Sequence, residues 1–184
     1  MTVETIELIA HPAHPPAQVR RITARVIGLD AHWCVLRWRV EGTAALVVPG
    51  FAGRARCDGL WQTTCFELFV HGDDAQAGAY AEFNFAPSER WAAYDFVAPR
   101  AGMAERPMPR GPVITPRRGS DVLICDVALP RAELPALPWR YGLTAVIEEA
   151  GGVRSFWAMA HGGDRPDFHD PACHAARLAP PVAP

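Results

Sequence analysis

Glu67 stands in the middle of LWQTTCFELFV (60–70), a run otherwise fit for a buried β-strand. Glu82 and Asn84 interrupt AYAEFNFA (79–86) in the same way. Two carboxyl groups set side by side can share the work of glycoside hydrolysis if a cleft separates them suitably. They can equally bracket the hydroxyls of a bound molecule. A second polar cluster, RPDFHDP (165–171), places Asp167, His169 and Asp170 between prolines. It reads first as a structural latch, because Asp and His beside turn prolines cap backbone amides. Ligand contact by His169, general-base chemistry by the His169/Asp170 pair, or a metal site with His161 or His174 are the sharper alternatives. Haem is a candidate cofactor in so far as Met103, Met108, Met159, His161 and His169 supply the axial-ligand types. Spacing pairs none of them, Met159 and His161 fall on one side of any strand, and the CxxCH attachment motif is absent. The three serines (Ser88, Ser120, Ser155) lie outside any G-x-S-x-G elbow. All 18 basic residues are arginine, which removes lysine chemistry and a Walker-type phosphate loop.

Strands must position these groups, since period-2 alternation dominates and helical periodicity is scarce. ETIELIA (4–10) is a first strand, and HPAHPP after it cannot be helical. ITARVIGLDAHWCVLRWRVEG predicts a hairpin turning near Gly28–Asp30. In its second arm Cys34, Leu36, Trp38 and Val40 share one face, Val35, Arg37 and Arg39 the other. Residues 60–70 are the next strand, followed by an acidic turn, HGDDAQAG. AYAEFNFA and RWAAYDFVA pair across PSE. Residues 99–120 read as a long surface loop, with an edge strand at 112–115 and a surface for a protein partner. VLICDVALP, YGLTAVIEE and VRSFWAMAH complete the strands, and Glu148 and Glu149 before the GG turn read as solvated. The residues after 165 are expected to be irregular. This pattern predicts an all-β antiparallel sandwich of jelly-roll type, one domain over 1–178 with a flexible Pro-rich tail at 179–184.

Alternation also assigns faces. Glu67 shares a side with Trp61, Thr63, Cys65 and Phe69, while Tyr80, Glu82 and Asn84 oppose Ala81, Phe83 and Phe85. If the strands are neighbours, Glu67, Tyr80, Glu82 and Asn84 gather on one wall, which Arg37, Arg39, Trp157 and His161 could join. Adjacent carboxylates shielded from water require arginine or a cation beside them, and Arg37 is the expected compensator. The plain alternative is a solvated outer face of weak Arg–Glu pairs. As a ligand face, it would use Trp61 or Trp91 for ring stacking and the carboxylates and Asn84 for hydroxyl recognition.

GLWQTTCFELFV, AYAEFNFAPSERWAAYDF, YGLTAVIEE and SFWAMAHGGDRPDFHDP together resemble the DOMON-like group, which is related to the family 9 carbohydrate-binding modules. The resemblance covers most of residues 5–178 and is most specific in the W-x5-E strand and PDFHDP. It implies a non-catalytic β-sandwich that binds a sugar or haem. In family 9 modules a tryptophan pair sandwiches the sugar, and Trp61 is the match for one of them. That family typically has an acidic residue three positions before the strand glutamate, where this chain has Thr64.

A net charge of −2 favours neither nucleic acid nor an anionic membrane. Five widely spaced cysteines (34, 57, 65, 125, 173) and an N-terminus unlike a secretory signal predict reduced thiols in a cytoplasmic setting. The Arg-only, Ala- and Pro-rich composition fits a GC-rich bacterial genome.

Overall fold

The computed structural model describes residues 4–72 and 78–180. Among the described residues twelve strands form: β1 Ile6–Ala10, β2 Arg21–Leu29, β3 Trp33–Glu41, β4 Cys65–Gly72, β5 Tyr80–Phe85, β6 Trp91–Phe96, β7 Ala104–Glu105, β8 Val113–Arg118, β9 Val122–Pro130, β10 Trp139–Glu149, β11 Val153–Ala158 and β12 Ala176–Leu178. All pairings between these strands are antiparallel. One layer runs β1-β2-β3-β9-β8 and the other β11-β10-β4-β5-β6-β7, with β12 extending the β10 edge. β1 joins both: Ile6 to Leu8 pair with β2, then Ile9 and Ala10 pair with β11. The result is an antiparallel β-sandwich.

Alternation explains the core. Leu36, Trp38 and Val40 from β3 meet Phe66, Leu68, Phe83 and Phe85 from the opposite layer, all buried. Trp38 stacks on Phe66 at 5.5 Å between ring centres. Burying such a ring removes roughly 150–250 Å² from water, which makes this aromatic seam a main source of cohesion between layers.

Several expectations shift in detail. The first hairpin turns two residues later than Gly28–Asp30, between Leu29 and Trp33, and β2 carries an irregularity between Val26 and Gly28. Asp30 then accepts the N–H groups of His32 and Trp33 and fixes the turn. The run 60–70 is not one strand: Leu60–Gln62 is a single 3-10 turn, entered through Gly59 at φ 74°, and β4 begins at Cys65. The stretch 99–120 is less irregular than expected, since β7 pairs with β6 and β8 with β9. β12 was hidden in an irregular-looking segment.

Glu149 is not solvated. It is fully buried, and its carboxyl accepts the N–H groups of Ala17, Gln18 and Val19 at 2.7, 2.7 and 3.0 Å. The prolines of HPAHPP prevent regular structure there, so a side chain supplies acceptors that a strand would have supplied. All five cysteines are free thiols. Most of the acidic turn after Gly72, and the tail residues 181–184, lie outside the described residues.

Candidate functional site

The outer face of β4, β5, β6 and β10 is built in rows. Register places Thr144, Glu67, Asn84 and Ala92 side by side across the four strands. The next row holds Gly142, Phe69, Glu82 and Tyr94. Glu67 and Glu82 are therefore diagonal neighbours on adjoining strands, with backbones about 7–8 Å apart. A third row brings Phe156, Val146 and Cys65 together on the far side of the polar one.

A pocket of about 430 Å³ lies over these rows. Glu67 and Glu82 form its floor, Phe69, Tyr94, Phe96 and Phe156 its walls, and Trp61, Arg100 and Met103 its mouth. Pro166, Phe168 and His169 close the remaining side. Trp61 meets Tyr94 edge to face at 6.2 Å. The buried Leu60 anchors the 3-10 turn that carries Trp61.

Glu67 and Glu82 are 3% and 6% exposed, so this face is not a solvated one. Thr144 donates its hydroxyl to Glu67 at 2.9 Å, and Asn84 donates its amide to Glu82 at 2.7 Å. Burial holds the Glu67 carboxyl above the usual carboxylate range; repulsion from Glu82 adds to this, and Thr144 opposes it. Burial raises Glu82 likewise, against the Asn84 amide and Arg100. The pair thus retains protons at pH values where free glutamate has none.

The 166–174 segment is both latch and wall. Arg100 binds Asp167 at 2.9 Å, Asp167 accepts the His169 N–H, and Asp170 caps Ala172. Behind it a directional chain runs inward. Nε2 of His174 lies 2.9 Å from the Phe168 carbonyl and must donate to it. Nδ1 of His174 is then an acceptor, 2.7 Å from Nε2 of His71, which donates. Burial depresses both imidazoles, His174 to about 3 and His71 to about 4, so the neutral tautomers this chain requires are the stable ones. His174 also stacks on Phe69 at 4.9 Å. Gly142 makes room: a Cβ there would sit 2.5 Å from the Cys173 carbonyl oxygen. The hydroxyl of Tyr80 and Nδ1 of His169 are 2.6 Å apart.

Of the expected residues, the structure brings Trp61, Glu67, Glu82 and His169 into the pocket lining. Tyr80 and Asn84 stand directly behind it, bonded to His169 and Glu82. Trp91 is misplaced: it pairs with Phe85 on the core side of β6 and packs against the inner cluster. Arg37 is misplaced more thoroughly. It lies on β3 in the other layer, in a two-toothed pair with Asp126 at 2.6 and 2.7 Å, and Arg39 shares that layer, paired with Glu41. Alternation assigns a face within a strand but not the layer. Trp157 is buried in the interlayer core, and His161 bonds the Ile9 carbonyl at 2.8 Å, away from the pocket. Tyr94, Phe96, Phe156, Phe168, Arg100 and Thr144 were not expected. Tyr94 and Phe96 could have been found, because the PSE hairpin sets Tyr94 opposite Glu82.

No protein-family model matches the chain, and no curated protein matches it in sequence. Solved structures do match. A provisionally described carbohydrate-binding protein from Bacteroides uniformis superposes with a TM-score of 0.64 at 15% identity, over 97% of this chain and 86% of that one. A family 9 carbohydrate-binding module from Caldicellulosiruptor kristjanssonii, in complex with cellotriose, gives 0.60 at 10% identity, over 99% and 89%. The likeness is one of fold.

Proposed function

We propose that this chain is a non-catalytic carbohydrate-binding β-sandwich whose ligand site is the pocket over Glu67 and Glu82. One observation carries the reading: a single pocket combines flat aromatic walls with two carboxyl groups that each keep one oxygen free of the Thr144 and Asn84 bonds. Sugar rings need both, C–H faces to lie on aromatic surface and hydroxyls to meet paired donors and acceptors. A partly protonated carboxyl pair offers both kinds. A volume of about 430 Å³ suits one or two rings. The two solved folds, one of them holding cellotriose, support the ligand class without naming the sugar.

The glutamates rise side by side from one floor, whereas hydrolysis needs them on either side of a scissile bond, and this favours binding over catalysis. Haem suits the floor poorly, because a porphyrin face would strip water from two carboxyl groups while offering them no donor. The test is calorimetric titration with glucose, xylose, cellobiose, cellotriose and glucosamine. At least one should bind, and Trp61→Ala should weaken it about tenfold while leaving the unfolding midpoint nearly in place, since Trp61 is 40% exposed. A panel without a single binder, or a variant that binds like its parent, would refute the proposal.

A further inference from the structure

Once ionised, the floor would carry more negative charge than hydroxyl recognition calls for. Thr144 and Asn84 each satisfy one oxygen of their glutamate, and among the described residues no donor reaches the other oxygen of either. Nor does a protein cation. The chain has no lysine, and none of its arginines forms an ion pair with Glu67 or Glu82 among the described residues. Arg100, at the pocket mouth, is already bonded to Asp167. His169 stands 3.9 Å from Glu82, and burial, with Arg100 nearby, lowers its affinity for a proton.

The other titratable groups around the floor do not offset it. Cys65 on β4, Tyr80 on β5 and Tyr94 on β6 are all held protonated, and therefore uncharged, by burial. Asp58, behind Tyr94, is paired with Arg56 at 2.9 Å. The two floor carboxyls are thus the acidic groups of the site for which the protein supplies no counter-cation, and six aromatic rings surround them. Aromatic faces are electron-rich and attract cations. Ionised carboxylates accept only, and an ammonium donates only. A metal ion fits less well, because no cluster of three or more His, Cys, Asp or Glu suited to one exists among the described residues.

We infer that the ligand carries an ammonium group seated between Glu67 and Glu82, making the natural ligand class a basic amino sugar rather than a neutral one. The inference rests on the carbohydrate reading above and narrows it. Binding such a ligand completes the ionisation of the pair, so protons leave as the cation enters.

The experiment is calorimetry of the full chain at pH 6, where a sugar amine is protonated, with glucosamine, N-acetylglucosamine, glucose and choline as probes. Glucosamine should bind at least tenfold more tightly than glucose or N-acetylglucosamine, a difference of about 1.4 kcal/mol. Titration in two buffers of different ionisation enthalpy should show proton release with glucosamine and little with glucose. Glu67→Gln, which keeps the shape and removes one charge, should cut the glucosamine-to-glucose ratio below threefold. If that variant fails to fold, the proton release of the native chain decides alone. Equal affinity for glucosamine and glucose, or no proton release, overturns the ammonium inference and leaves sugar binding standing. Choline binding with no sugar bound overturns the carbohydrate reading while keeping the cation site. No binding of any probe overturns both.

Discussion

Replacing Glu67 with glutamine should make the empty protein more stable at alkaline pH. Burial and mutual repulsion raise both floor carboxyls, so between the ordinary glutamate value of about 4.3 and the raised folded values the native state binds more protons than the unfolded chain. Stability then falls as pH rises through that window. The pair's contribution is fully present below the window and lost above it. At a separation of about 7 Å and an effective dielectric near 20, two ionised carboxylates repel by roughly 2 kcal/mol. Glutamine removes that repulsion and the cost of keeping Glu67 charged out of water. It retains an acceptor for Thr144 and adds an amide donor beside Glu82. The expected gain is about 1–3 kcal/mol at pH 8, shrinking towards zero near pH 4.5. Urea unfolding followed by tryptophan fluorescence, for both proteins at half-unit steps of pH, measures it. The pH-dependent difference isolates the pair from the paired aspartates that both proteins share. Parallel stability curves, or a glutamine variant that is weaker at pH 8, would refute the electrostatic account of the floor.

Two further outcomes follow from packing. Glu149→Ala strips the acceptor from three backbone N–H groups, so a loss of roughly 3–5 kcal/mol is expected, read as a lower urea midpoint. Gly142→Ala forces a methyl group against the Cys173 carbonyl and the His174 ring, which should cost about 1–3 kcal/mol and weaken ligand binding through the 166–174 wall. A thermal melt with and without sugar checks both parts, and an unchanged melt would show that the wall is free to move away.

What could be read from the sequence was local. Strict alternation assigned Glu67 and Glu82 each a face, and the two share one because β4 and β5 are neighbours, a condition that alternation leaves open; the pairing of Glu67 with Asn84 shows that it is met. Three kinds of residue escaped it. Arg37 has the right alternation but belongs to a strand in the other layer, and no periodicity encodes layer membership. Thr144 reaches Glu67 because β10 is inserted between β4 and β11 from far along the chain, a register that nothing local specifies. Phe168 and Arg100 come from irregular segments, whose course is set by Gly142, His174 and Asp167 rather than by a repeat. The DOMON-like resemblance anticipated a sandwich; the solved neighbours support its family 9 side in fold.

β1 is the hinge stitch between the layers, and its two partners are born far apart in time. Residues 22–24 follow β1 closely in the chain, but Trp157 and Ala158 are synthesised far later. Closure of the sandwich along that seam, and of the Thr144 bond to Glu67, must therefore await synthesis of β10 and β11. Contacts of such long sequence separation place folding in the slow regime typical of β-sandwiches, on the order of milliseconds to seconds. A nascent chain stalled before β10 would leave the edge of β4 that β10 covers unpaired and open to foreign strands.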